Sequence, residues 1–299
     1  MSNPSFLERA PRKDLKIGRW GQERRLEFID YRLYWDGRIN RSELVEFFGI
    51  SIQQASLDIA RYTELALGNL EYDRSEKVYR AATAFTPILT SSNAQSFLDP
   101  LLGVTIGTLP LSSSFLGWLP PTDVVAFPVR SIQASTLTGI NQAIRYRQDI
   151  ELEYQSMRQP ASTRRWIAPH AIAFDGMRWH ARAWCYSREE FRDFVFSRIQ
   201  TIYQTRPTHL ADHTDVKWNT YNTVILRPKK TLSPAQQRAV EIDFGMTNGE
   251  LHVPMRQALV FYFLRQLHLT NEHELQDGQP IELANKDELS WLIVEAHKR

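Results

Sequence analysis

Four short runs of alternating polarity between Glu151 and Ile199 restrict the fold of this chain more than any other feature. Turn residues separate the runs, which begin near Glu151, Trp166, Arg178 and Phe191. Successive side chains of a β-strand point to opposite faces, so a period of two over short runs bounded by turns predicts an antiparallel sheet. The centre of the chain is therefore predicted to be a small β domain.

The polar face of this predicted sheet is basic. His180 and Arg182 share one side of their run, and Arg192 shares a side with Arg198. Arginine binds phosphate oxygens through two parallel hydrogen bonds, and histidine adds donors near neutral pH. The alternative is that these are surface residues paired with nearby carboxylates, and Arg198 could close a structural salt bridge. We favour an anion-binding site, whose candidate contacts are Ser156, His170, His180, Arg182, Arg192 and Arg198.

Length and composition narrow the class of protein. A chain of 299 residues with 42% hydrophobic residues is expected to form two or three domains. The formal net charge is only +2, so any site for a polyanion must be local. The single Cys185 makes neither an intramolecular disulfide nor a cysteine zinc cluster. The N-terminus has no apolar signal segment, and prolines and glycine interrupt the longest uncharged stretch, so we expect a soluble cytoplasmic protein without a membrane partner.

The first 85 residues have the pattern of a winged helix-turn-helix domain. A helix is predicted from about Trp20 to Trp35, and a second helix ends at Gly49, which allows a left-handed turn. Ser51 is expected to cap a third helix. A polar-tipped hairpin then follows over residues 70–80, as in a winged helix.

The third helix is the predicted recognition helix. Gln pairs with adenine and Ser with either base type, while Arg and Lys bind phosphates independently of sequence. The alternative is an ordinary solvated helix. Candidate DNA-binding residues are Ser51, Gln53, Gln54, Ser56 and Arg61 on the helix, Arg38 and Arg41 before it, and Arg74 and Lys77 in the wing, with Arg80 a further phosphate-facing candidate.

The remaining chain divides into three parts. Residues 86–130 are predicted to be a linker with one helix near 92–101, and residues 131–208 a sheet domain preceded by a helix. Residues 216–299 alternate strands and helices and predict a small α+β domain. The whole is an α+β multidomain protein. Its apolar segment Gln257–His268 is expected to be buried in its own domain or against a second subunit.

Catalytic patterns are weak. His209 and His213 have helical metal-ligand spacing, but without a supporting motif such a pair is commonly accidental. Ser156, His170 and Asp175 lack the nucleophile elbow of a hydrolase. We therefore expect no catalytic residue, no metal and no cofactor.

The chain resembles WYL-domain transcriptional regulators over most of its length. The resemblance rests on Tyr154-Gln-Ser156, Pro169-His170, Trp179-His180-Ala181 and Phe191-Arg192 through Arg198-Ile199. It implies a central SH3-like (Sm-like) β-barrel with a basic site for a nucleotide or nucleic-acid fragment, and a C-terminal extension that helps to build a dimer. The Trp-His-Ala-Arg-Ala variant is similar to repressors encoded beside antiphage defence systems, which implies a homodimer on an inverted repeat.

These observations lead to a ligand-responsive repressor that binds a double-stranded DNA operator and a nucleotide or oligonucleotide effector. A transcriptional activator of the same architecture remains an alternative, because its winged helix would look the same. An enzyme that processes nucleic acid, with His170 and His180 as acid and base, is a third reading.

Overall fold

The structure is a computed structural model that describes residues 20–125, 128, 130–208, 214–270 and 279–290. The chain forms two compact units, Met1–Phe127 and Pro128–Arg299. The first 19 residues and the pair His209 and His213 lie outside the described residues.

The first unit contains the predicted winged helix, which is confirmed. Its helices are α1 (Trp20–Asp36), α2 (Arg41–Phe48) and α3 (Ile52–Leu65). Strands β1 (Arg38–Ile39), β2 (Leu70–Asp73) and β3 (Val78–Ala81) form an antiparallel sheet in the order β1-β3-β2. The β2–β3 hairpin is the wing.

Local capping explains where α2 and α3 begin and end. Asn40 and Glu43 form a reciprocal capping box at the start of α2. Gly49 follows α2 with φ 63°, a left-handed conformation that is energetically unfavourable for a residue with a Cβ atom. Ser51 then accepts a hydrogen bond from the Gln54 amide and caps α3. Apolar residues of all three helices pack into one core.

The segment after the wing folds onto α1. The buried Asp30 carboxylate accepts backbone hydrogen bonds from Ile88, Leu89 and Thr90 at 2.7–3.0 Å. Helix α4 (Gln95–Thr105) follows and contributes Leu101 to a cluster with α1. Residues within the predicted 86–130 linker thus add a layer to the first unit.

The second unit begins with α5 (Ala134–Tyr146) and a five-stranded sheet. The strands are β4 (Gln148–Tyr154), β5 (Thr163–Phe174), β6 (Trp179–Cys185), β7 (Glu190–Val195) and β8 (Ile199–Pro207). All neighbours are antiparallel in the order β7-β6-β5-β4-β8, which confirms the sheet expected from the alternating runs. Among the described strands no ladder joins β7 to β8, so the sheet does not close into a barrel.

The sheet is nevertheless strongly curled. Tyr154 on β4 and Phe194 on β7 have ring centroids 5.2 Å apart, although two strands separate them in the sheet. The Val195 amide donates to the Tyr154 hydroxyl at 3.2 Å. One core, to which α5 contributes Ile140 and Ala143, fills the concave side.

The end of the second unit is an α+β layer. It contains α6 (Val216–Asn219), β9 (Tyr221–Pro228), α7 (Pro234–Asp243), β10 (Leu251–Arg256), α8 (Gln257–Gln266) and β11 (Ile281–Leu283), and residues 286–290 are helical. The strands are antiparallel in the order β10-β9-β11. Val260 and Leu264 of α8 are buried in this layer's core, as expected for an apolar helix. Within the described ranges, no helix has both the length and the apolarity needed to cross a bilayer.

Candidate DNA-binding surface and anion cavity

The exposed side of α3 is the first candidate surface. Ala55, Ile59 and Tyr62 face the core, so the opposite side of the helix faces solvent. Gln53 is exposed on that side. Gln54 is half-buried, and its amide donates to the buried Asp58 carboxylate at 3.1 Å. The two glutamines predicted from the sequence therefore differ, because only Gln53 is directed outward.

Other candidates on and near α3 have intramolecular roles. Ser51 caps the helix, and the Ser56 hydroxyl donates to the Ile52 carbonyl. Arg41 donates to Ser56 at 3.2 Å, which holds its charge beside the first half of α3. Arg61 pairs with Glu64 at 2.9 Å on the exposed surface, where such a pair is weak.

The wing carries exposed cations. Arg74 and Lys77 lie in the β2–β3 turn. Arg80 instead pairs with Asp73 at 3.0 Å and Glu76 at 2.7 Å. The hydrogen bond to Asp73 raises the pKa of Arg80. The pKa of Asp73 is lowered, chiefly because its carboxylate accepts a hydrogen bond from the backbone amide of Glu76. Arg38 lies 3.9 Å from Glu76 and is mostly exposed.

The second candidate site is a cavity of about 590 Å³ on the central sheet. Its walls include Ser156, Arg192 and Arg198 from the predicted set. Sequence reasoning missed three further arginines of the wall, which are Arg158, Arg165 and Arg188. The cavity is thus lined by five arginines and by two carboxylates. This excess of positive charge in a concave site favours an anion.

The missed arginines had a weak signal in the sequence. Arg158 and Arg188 lie in loops, where no alternation assigns a face. Arg165 follows Arg164 on β5, and its guanidinium lies 5.6 Å from the Tyr154 ring centroid. Its buried Nε has no hydrogen-bond partner among the described residues. An unpaired buried donor at a cavity wall is costly unless a ligand or water satisfies it.

A second cavity of about 360 Å³ adjoins the first, because Tyr154, Arg158, Asp193 and Arg198 line both. His180 from the predicted set lines this second cavity. Its other walls include several residues of α8, among them Tyr262, so the cavity lies between the sheet and the C-terminal layer.

Arg182 does not line either cavity. Its side chain is 1% exposed and donates to Asp215 through Nε at 2.6 Å and through a second nitrogen at 3.1 Å. A third nitrogen lies 3.2 Å from Asp193. His170, also predicted as a ligand contact, is 3.1 Å from the same Asp215 carboxylate. These two residues join the sheet to the C-terminal layer instead of facing the cavity.

The Asp215 carboxylate is the centre of this cluster. Burial alone would raise the pKa of Asp215, but hydrogen bonds from His170 and Arg182 lower that pKa well below its ordinary value. The carboxylate also caps α6 by accepting from the Trp218 amide. A charged Asp215 is therefore part of the folded second unit.

His180 belongs to a second buried pair. Its Nε2 lies 2.9 Å from Asp175, and its ring lies 5.2 Å from the Tyr262 ring. The Tyr262 hydroxyl donates to Asp193 at 2.8 Å, and burial with this carboxylate raises the pKa of Tyr262. Asp193 thus connects the cavity wall to α8 through one hydrogen bond.

Three known family models match successive parts of the chain. The BrxR transcriptional regulator winged helix-turn-helix domain matches residues 21–102, and the WYL domain matches residues 135–204. The BrxR transcriptional regulator C-terminal dimerization domain matches residues 221–289. The three matches define a WYL-domain transcriptional regulator.

Curated relatives narrow this class. The DNA-binding transcriptional repressor CapW of Escherichia coli (strain KTE188) is 45% identical over 97% of this chain and 99% of the relative. CapW of Pseudomonas aeruginosa is 47% identical over 92% of this chain and 93% of the relative, and that of Stenotrophomonas maltophilia is 44% identical over 84% of each. The chain belongs to the CapW family of DNA-binding transcriptional repressors. The expectation that it is a regulator and not an enzyme is confirmed by this membership.

Proposed function

We propose that this protein represses transcription by binding an inverted repeat in double-stranded DNA as a homodimer. The observation that supports this most is the outward side of α3, whose first half lies beside Arg41, together with the exposed Arg74 and Lys77 of the wing. A helix of this kind reads bases in the major groove, and the cations bind the backbone. The matched dimerization domain supports two copies, and a two-fold protein favours a two-fold operator.

The effector is proposed to be a nucleotide or a nucleic-acid fragment bound in the basic cavity. Support comes from the five arginines that line the cavity, in front of the buried Tyr154 and Phe194. Phosphate oxygens suit the arginine forks, which can bind them through two parallel hydrogen bonds. The curled sheet that carries this cavity is proposed to be an incompletely closed SH3-like barrel, which the Tyr154–Phe194 contact across the sheet supports.

An effector releases the operator only if it binds the released state more tightly than the DNA-bound state. Each factor of ten in that preference corresponds to about 1.4 kcal/mol. The hydrogen bond between Asp193 and Tyr262 offers a route, because Asp193 lines the cavity and Tyr262 lies on α8 of the matched dimerization domain.

The regulated genes are proposed to be an antiphage defence operon, on the basis of the sequence variant Trp179-His180-Ala181-Arg182-Ala183. Deletion of the gene in its host, with a reporter on the neighbouring promoter, tests the direction of control. Expression should rise for a repressor, whereas a fall would identify an activator.

The effector site is tested with the full-length protein on a labelled duplex from upstream of its own gene. Short single-stranded DNA is titrated into the complex, with a mononucleotide in a parallel series. We expect wild-type protein to release the duplex, and we expect Arg158→Ala/Arg188→Ala to require at least about a hundredfold more oligonucleotide, since each of the two lost charged hydrogen bonds weakens binding by roughly 1.5–3 kcal/mol.

Arg238→Ala is the matched control, because Arg238 is 72% exposed on α7, away from the cavity-lining set. It should respond as wild type does. Release that is equal in all three proteins would reject the cavity as the effector site, whereas failure of the untreated protein to bind the duplex would reject the operator.

A further inference from the structure

The outward side of α3 carries two apolar residues, Leu57 and Ala60, between polar ones. Gln53, Leu57, Ala60 and Glu64 follow one another at spacings of four, three and four residues, so they form one stripe. The stripe lies opposite the buried Ala55, Ile59 and Tyr62. Leu57, at its centre, is 63% exposed.

Polar side chains beside this stripe are already engaged within the domain. Gln54 is bonded to Asp58, and Ser56 is bonded to the Ile52 carbonyl and to Arg41. In the first half of α3, as far as the structure describes it, Gln53 is the remaining polar side chain without such a bond. A single exposed leucine is common on protein surfaces, so its exposure alone indicates nothing. Its position between Gln53 and Ala60 on the outermost line of the helix is what requires an explanation.

We infer that Leu57 and Ala60 contact the C5-methyl groups of thymines in the major groove, beside an adenine bound by Gln53. This inference rests on the proposed DNA-binding function and adds the chemistry of the half-site. The thymine methyl is the apolar group that the major groove displays, and apolar side chains recognise it. Arg41 beside the stripe and the wing cations favour a nucleic acid over an apolar protein partner as its occupant.

Helix geometry limits where these bases lie. Gln53 and Leu57 are one turn apart, which is about 6 Å along the helix axis. Successive bases on one strand are about 3.4 Å apart. The adenine and the thymine are therefore expected within about two base pairs of each other in each half-site.

The test begins with selection of bound duplexes from a randomised pool by the full-length protein. In the selected duplex each thymine is then replaced singly by deoxyuridine, which removes the methyl group and keeps base pairing. For wild-type protein we expect one or two positions in each half-site at which this change weakens binding about three- to fivefold, the effect of burying one methyl-sized group.

The variants then assign the contact. Leu57→Ala should bind the thymine duplex about three- to tenfold more weakly than wild type. Its affinity should not fall further when deoxyuridine replaces the thymine that Leu57 is inferred to contact. Gln53→Ala should lose discrimination at the nearby A·T pair and keep the deoxyuridine effect. Leu65→Ala is the matched control, because Leu65 is 46% exposed on α3 but lies outside the stripe, and it should keep both effects.

Two results would overturn the inference. The first is a deoxyuridine effect that is equal in wild type and Leu57→Ala, or that is absent at every thymine. Either outcome would mean that Leu57 does not contact a thymine methyl group. The other is a change in the sedimentation mass of Leu57→Ala without DNA, which would make the stripe a protein interface. If no duplex sequence is enriched at all, sequence-specific DNA binding itself fails, and that outcome is distinct from the other two.

Discussion

Burial decides what each arginine of the central sheet does. Arg182 and Arg192 both alternate onto polar positions in the sequence, yet Arg182 is 1% exposed and Arg192 is partly exposed at the cavity wall. A buried guanidinium needs carboxylate partners because desolvation would otherwise oppose burial, and Asp193 and Asp215 supply them. The same residue type therefore holds two layers together at one position and lines the proposed effector cavity at another.

Arg182→Met should destabilise the protein instead of selectively abolishing the effector response. The substitution leaves the Asp215 carboxylate, which is 3% exposed, without its main partner. Breaking a buried pair costs about 3–5 kcal/mol. Urea unfolding measures the change.

Arg227→Met is the control, because its ion pair with Glu282 is about one-third exposed and should contribute roughly 1 kcal/mol or less. Equal unfolding free energies for Arg182→Met and wild type would contradict the assignment of Arg182 as a structural residue.

Stability should also fall in acid through Asp215. Its pKa is lower in the folded protein than in the unfolded chain, so its ionised form stabilises folding at any pH above the unfolded value of about 3.9. That contribution is lost as the pH falls below about 4 towards the folded pKa. The free energy of unfolding of wild type, measured by urea from pH 6 to pH 3, should therefore decrease at the acid end.

Asp215→Asn should be less stable at pH 6 and should lose less on acidification. Asp243→Asn, at an exposed position of α7, should follow wild type. An acid slope that is unchanged in Asp215→Asn would show that other carboxylates cause the loss.

At the scale of single elements, neighbouring residues determine most of what forms. The capping box at Asn40, the Ser51 cap and the left-handed Gly49 involve partners within four residues, so the sequence predicts α2 and α3 well. The strands of the central sheet were predicted from alternation for the same reason. The prediction treated Gln53 and Gln54 alike, because the partner of Gln54, Asp58, is buried by packing against α1, where Arg25 also binds it at 2.6 Å.

Gly49→Ala should destabilise the winged helix by about 1–2 kcal/mol, the cost of a left-handed conformation for a residue with a Cβ atom. Thermal and urea unfolding measure this. Gly49→Asn should cost less, since asparagine tolerates this conformation better. If alanine and asparagine are equally tolerated, the turn does not depend on the left-handed conformation.

At the scale of the whole molecule, two copies of the winged helix are proposed to share one operator. Their phosphate contacts make affinity depend on salt, because each contact releases counterions from DNA. Arg74→Ala/Lys77→Ala removes four proposed contacts per dimer. The slope of log K against log salt should therefore become shallower by about 3–4.

Binding to the operator at 50–300 mM salt measures this slope. Lys230→Ala, an exposed change in the second unit, is the control and should keep the wild-type slope. An unchanged slope in the wing variant would mean that Arg74 and Lys77 do not contact phosphates.

Local chemistry along the chain was enough to predict the helices of the first unit, the antiparallel strands and the alternating C-terminal layer, because caps, turns and periodicity act between near neighbours. Local patterns could not predict which residues line the cavity. Asp215 binds Arg182 from 33 residues away and withdraws it from the cavity, while loop residues Arg158 and Arg188 reach the cavity through the curl of the sheet. Which charges are buried and which face solvent depends on packing between distant segments, and that is set when the sheet curls and the C-terminal layer covers one side of it.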